Sequence, residues 1–204
     1  MVATETRADA TQAPTRTSTI ADPGPLGLAA FALTTFVLSV FNAGLIGTGE
    51  AVVLGLALAY GGIAQFAAGM WEFVKGNTFG AVAFASYGAF WVSFWWLIDH
   101  VPADTKGRDL THGLGVYLLA WAIFTGYMTL AALRTTGATF AVFLFLTLTF
   151  VILTIGELGT STGWTKLGGW VGLITAVLAW YTSCAEVAAT TFGRYVLPVY
   201  PLKG

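Results

Sequence analysis

The chain has 204 residues, of which 56% are hydrophobic and only 9% are Asp, Glu, Lys or Arg, and its formal net charge is −1. A soluble domain keeps about 25% of its residues charged, so a water-soluble fold is excluded. The lack of a basic excess argues against nucleic acid as a partner, and a lone Cys184 rules out an internal disulfide or a thiolate metal site.

Residues Met1 to Asp22 are polar and rich in Thr and Ala, with Arg7 and Arg16. No apolar segment follows the start closely, so this stretch reads as a tail, not a cleaved signal peptide. After Pro23 and Pro25, six apolar runs follow: Leu26 to Ile46, Ala51 to Val74, Phe79 to Ile98, Gly113 to Leu133, Ala138 to Ile155 and Leu167 to Ala189. Each approaches the roughly 20 residues that span about 30 Å of hydrocarbon as a helix. None alternates apolar and polar as a barrel strand would. The sequence therefore predicts an all-α membrane protein of six transmembrane helices. The expected division is a polar tail over 1–22, a membrane domain over 23–198 and a short tail over 199–204. A polar hairpin from Asp99 to Thr111 separates the third and fourth runs.

Lys and Arg favour one orientation. With the N-terminus inside, six of them (Arg7, Arg16, Lys75, Arg134, Arg194, Lys203) lie on the inner side, against Lys106, Arg108 and Lys166 outside. Both termini are thus expected in the cytoplasm. The first helix opens Leu26-Gly27-Leu28-Ala29-Ala30-Phe31 and the third opens Phe79-Gly80-Ala81-Val82-Ala83-Phe84. This echo suggests three helical hairpins related by an axis along the membrane normal.

Polar residues inside the apolar runs carry the functional signal, because burying them in lipid is costly. Phe31, Thr35, Leu38 and Asn42 are spaced to share one helix face, as are Gln65 and Glu72. Interhelical hydrogen bonding is the plain alternative for each. Glu72 and Glu186 fall near inner helix ends, Glu50 and Glu157 near outer ones, and no charged residue sits at a helix midpoint. That leaves no Schiff-base lysine for retinal. No His or Cys cluster suits a metal or haem, and no phosphate loop or hydrolytic triad is evident. No cofactor and no enzymatic activity are expected. The residues suit a narrow, mostly apolar path for a small, weakly polar solute.

Several segments resemble the acetate uptake transporter family, which includes bacterial succinate–acetate permeases. The family opens its first helix with Asn-Pro-Ala-Pro-Leu-Gly-Leu, where this chain has Asp22-Pro23-Gly24-Pro25-Leu26-Gly27-Leu28. Tyr60 to Gln65, Gly69 to Glu72, Lys75 to Gly80, Ala83 to Gly88, Gly115 to Leu118, Gly168 to Leu173 and Phe192 to Arg194 continue the match in order. The resemblance implies a hydrophobic constriction at Phe31, Tyr87 and Leu146, and a homo-hexamer with one pore per protomer. It also implies transport of acetate and related small carboxylates, succinate included, across the cytoplasmic membrane. Thr35, Asn42, Gln65 and the Tyr87 hydroxyl are expected to offer hydrogen bonds along that path, and Glu72 to stand near its inner mouth. A channel for ammonia, urea or an amide, and a membrane acetate sensor, remain alternatives.

Overall fold

The structure, a computed structural model, describes residues 20–47, 49–100 and 108–202. Most of the N-terminal tail, the tip of the polar hairpin and Lys203 lie outside the described residues. Within them, six helices are long and apolar enough to cross a membrane. They are α1 (Gly24–Asn42), α2 (Val52–Lys75), α3 (Thr78–His100), α4 (Arg108–Ala132), α5 (Gly137–Leu158) and α6 (Thr162–Phe192). The first apolar run extends past α1 because Gly44, at φ 72°, closes the helix: Leu45 N–H donates to the Val40 carbonyl and Gly44 N–H to that of Phe41. Gly76, at φ 83°, ends α2 the same way, with Asn77 N–H donating to the Glu72 carbonyl. The last helix begins earlier than its apolar run, because Thr162 and Lys166 are helical but polar.

Helix α2 is not uniform. Ala59–Ala64 is π-helical between α-helical Val52–Leu58 and Gln65–Lys75. Val53 and Ala57 set the buried face at its start. At about 3.6 residues per turn that face would reach Ala64 and Trp71. The wider turn inserts one residue, so Gln65 and Glu72 are buried and Trp71 faces outward.

Small residues let the helices touch. Gly69 of α2 lies against the Ala85 backbone of α3, and Gly169 of α6 against Ala43 after α1. Packing is closest between α1 and α6, and continues from α6 to α5, α5 to α4, α2 to α3 and α1 to α2. Among helices that neighbour one another around the bundle, the α3 and α4 backbones approach least. Large side chains close that seam: the Phe90 and Trp121 rings lie 5.1 Å apart and Ser93 and Tyr117 share a 2.7 Å hydrogen bond. The six helices so form a ring with its own interior. Val116, Ile123 and Leu130 on α4 face outward, as lipid or another subunit requires. After α6 the chain folds back on the α4–α5 turn, where Leu202 N–H donates to the Thr135 carbonyl and Gly137 N–H to that of Tyr200.

Candidate functional site

Phe31 from α1, Tyr87 from α3 and Leu146 from α5 meet at the middle of the ring. All three are buried, and the Phe31 and Tyr87 rings lie 5.9 Å apart. With Leu28, Gln65 and Phe143 among the other walls, they enclose a neck of about 20 Å³. One water needs about 10–15 Å³ of such space. The neck therefore has room for about one water, and anything larger fits only if these side chains move. The Tyr87 hydroxyl shares a 2.9 Å hydrogen bond with the Thr125 hydroxyl on α4.

One cavity opens on each side. Toward the α1 C-terminus, Thr35, Leu38, Ser39 and Asn42 line a space of about 150 Å³ together with Phe90 and Trp91, and Glu50 and Glu157 stand at its rim. The face spacing in α1 is thus realised in one wall. Phe31 and Leu146 belong to both this cavity and the neck. Toward the chain termini lies a wider vestibule of about 490 Å³, which shares Leu28, Ala83, Phe84 and Phe143 with the neck.

Part of the N-terminal motif, Asp22, Gly24 and Leu28, lines the wide vestibule. Pro23 and Pro25 start α1, Leu26 faces outward, Gly27 packs against the Phe84 ring and Leu28 reaches the neck. Asp22 Oδ1 accepts from Gly24 N–H at 3.0 Å and from Lys75 Nζ at 2.6 Å. An aspartate here thus caps the helix start and also holds a lysine of α2. A Cβ at Gly24 would lie 3.1 Å from Asp22 Oδ1, 3.1 Å from Glu186 Oε2 and 3.4 Å from Glu72 Oε1. Three carboxylates therefore converge on one side-chain-free spot. Lys75 also faces Glu72 Oε2, at 3.8 Å. The sequence pairs Glu72 with Lys75 by proximity, but nothing in it brings Asp22 and Glu186 to the same place. Among the described residues, no group of three or more His, Cys, Asp or Glu is placed to hold a metal ion.

Most buried hydroxyls are satisfied within their own helices. Thr34, Thr129, Thr149, Thr154, Thr175 and Thr182 each donate to the carbonyl four residues earlier, which lets a threonine sit in apolar surroundings. Among the described residues, four buried side-chain atoms have no hydrogen-bond partner within the protein: Thr35 Oγ1, Gln65 Oε1, Glu72 Oε2 and Trp91 Nε1. All four residues line the file of cavities: Thr35 and Trp91 on the narrow side, Gln65 at the neck and Glu72 in the wide vestibule. Buried polar groups are almost always paired, so it is notable that all four of these exceptions fall along these cavities. Trp91 gave no sequence signal, since one more aromatic in an apolar run reads as packing.

A helical membrane bundle whose internal cavities meet at a single apolar neck has the architecture of a transporter or channel. The chain belongs to the GPR1/FUN34/yaaH family, whose model matches residues 5–204. It is 43% identical to the Ammonia transport outward protein 2 of Saccharomyces cerevisiae, over 93% of this chain and 68% of that protein. It is 38% identical to the Succinate-acetate/proton symporter SatP of Escherichia coli K12, over 88% of this chain and 95% of that one. The solved structure of the bacterial acetate channel SatP matches with a TM-score of 0.83 at 38% identity, covering 88% of this chain and 99% of that one.

Proposed function

We propose that this protein moves acetate and related small carboxylates, succinate among them, across the cytoplasmic membrane, together with a proton. The observation that carries the reading is the file of buried Thr35, Gln65, Glu72 and Trp91 atoms without a hydrogen-bond partner, along cavities that adjoin a neck at Phe31, Tyr87 and Leu146. The named activities of the relatives point to the same solutes. Phe31, Tyr87 and Leu146 act as the constriction, selecting by width and by reluctance to wet. Thr35, Asn42 and Gln65 supply hydrogen bonds on the way. The chain works without a cofactor, as a transporter and not an enzyme, with both termini in the cytoplasm as the Lys and Arg balance favours. Outward-facing apolar side chains on α4 suit the homo-hexamer that the family resemblance implies.

The proton follows from the neck's chemistry. A small carboxylic acid has a pKa of about 4–4.5, like Asp or Glu, so it is almost wholly anionic at neutral pH. An unpaired carboxylate in a dry site is very costly and neutralises instead. No cationic side chain lines the neck. Uptake should therefore rise as external pH falls, because the neutral fraction rises with it. In proteoliposomes with a clamped potential, acetate influx should follow the pH gradient and carry little current. A potential-driven acetate current without pH dependence would refute proton-linked passage. A second reading, ammonia passage, is favoured by the 43% identical yeast relative and by carboxylates at both mouths. Ammonium flux without acetate counterflow would select it.

A further inference from the structure

We propose that the side-chain amide of Gln65 reads the solute's proton at the neck, pairing one donor and one acceptor with a neutral carboxylic acid and leaving the carboxylate unmatched. This rests on the transport reading above and specifies how the neck discriminates. Gln65 is 1% exposed, yet its Oε1 has no partner within the protein. The π-helical turn Ala59–Ala64 is what rotates it inward, since an unbroken helix would place Ala64 there. Helices α1, α3 and α5 face it across the neck with apolar side chains and one titratable group, Tyr87. The Tyr87 hydroxyl is engaged with Thr125. The charged groups of its own helix, Glu72 and Lys75, lie about two and about three turns further on, in the wide vestibule. Among the described residues lining the neck, Gln65 is thus the one with a buried polar side-chain atom that lacks a hydrogen-bond partner within the protein.

The chemistry of the pair is specific. A primary amide offers an N–H donor and a carbonyl acceptor side by side. A neutral carboxylic acid presents the complement, an O–H and a C=O. A carboxylate presents acceptors only, so it leaves the Gln65 carbonyl unpaired and faces its partial negative charge. Rejection then comes from an unmade hydrogen bond in a dry site.

Three variants of the full chain in proteoliposomes test this: wild type, Gln65→Met of similar length without hydrogen-bonding groups, and Gln65→Glu. Gln65→Met should lower pH-driven acetate uptake by about tenfold, the worth of one lost hydrogen bond near 1.4 kcal/mol. Gln65→Glu should recover uptake at acid pH, where its carboxyl is neutral and again both donor and acceptor, and lose it toward neutral pH. A Met variant with the wild-type rate and pH profile overturns the inference. So does equal loss in both variants at every pH with intact folding by size-exclusion chromatography. One measurement needs no variant: acetamide, which carries a donor and an acceptor, should inhibit wild-type acetate uptake, and acetone, an acceptor alone, should not. Equal inhibition by both, or by neither, overturns it. A wild type that carries no acetate overturns the transport reading and this inference together, whereas an unchanged Met variant of an active wild type overturns this inference alone.

Discussion

The two spaces on either side of the neck differ in kind. The one at the chain termini is about three times larger, at about 490 against 150 Å³, and gathers Asp22, Glu72, Glu186 and Lys75 with the hydroxyls of Thr135, Thr136 and Thr139. The other is walled by Phe90, Trp91, Phe94 and leucines, and its polarity comes from Thr35, Ser39, Asn42, Thr149 and two rim glutamates. On the proposed route, a solute crossing from one to the other would exchange a roomy chamber with charged walls for a tight, largely apolar one. On the proposed route the two sides are therefore unlike, and desolvation would fall on the narrow side of the neck. Carboxylates outnumber the single ammonium among the residues lining the wide chamber.

Removing the wall between the two spaces breaks this comparison most strongly. Truncating Phe31, Tyr87 or Leu146 to Ala should admit larger acids such as lactate, because a methyl-sized difference in an apolar pocket is worth about 10–200-fold in discrimination. Leu146→Ala is the cleanest of the three, since Tyr87→Ala also strips Thr125 of its partner. The lactate-to-acetate uptake ratio at equal surface expression should rise by about tenfold or more. Exclusion of lactate in all three variants with unchanged acetate flux would leave these residues as packing alone.

Glu72 sharpens the contrast from the wide side. It is 1% exposed, one of its carboxylate oxygens has no hydrogen-bond donor, and it stands on the same face of α2 as Gln65. That placement suits it to receive the proton an acid releases on entering the wide vestibule. Glu72→Gln should lower acetate uptake about tenfold, equal to about 1.4 kcal/mol in the barrier. Glu186→Gln, at the same cluster but on α6, should lower it less than about threefold, roughly 0.65 kcal/mol. Thermal unfolding of both variants separates transport from anchoring of α2 through Lys75. Equal loss in both, or none in either, would remove the specific role.

Much of this was legible in the sequence, for identifiable reasons. The six spans show because lipid demands long apolar runs, and the Phe31, Thr35 and Asn42 wall shows because α1 keeps one helical period from end to end. The meeting of Phe31, Tyr87 and Leu146 came from family motifs; period alone would assign Phe31 and Leu146 to ordinary packing. The π-helical turn was not legible, because Tyr60 to Ala64 has no signature that distinguishes one extra residue from a regular turn. Gln65 and Glu72 share a face in either case, but which face depends on that turn. The Asp22, Lys75 and Glu186 cluster was hidden as well, since it joins the start of α1 to the ends of α2 and α6 and no local pattern records a contact between them.

The smallest expected effect lies at the rim of the narrow cavity, and it tests which form of the acid enters there. Glu50 and Glu157 line that rim, and Lys166 lies in the groove beyond it. A negative rim depletes acetate anions locally and enriches protons by the same factor. The concentration of neutral acid, which depends on their product, is therefore unchanged by the rim's potential. If the neutral acid is what enters, the double variant Glu50→Gln with Glu157→Gln should alter uptake by less than about twofold at any ionic strength. If the bare anion enters, removing two like charges from a cleft should speed uptake by about tenfold or more at low salt. That gain should shrink as the screening length falls from about 30 Å at 0.01 M to about 8 Å at 0.15 M salt. Initial rates of labelled acetate uptake at those two ionic strengths, at one fixed pH, separate the cases. A salt-sensitive acceleration in the double variant would overturn passage of the neutral acid, even if the wild type follows the pH gradient.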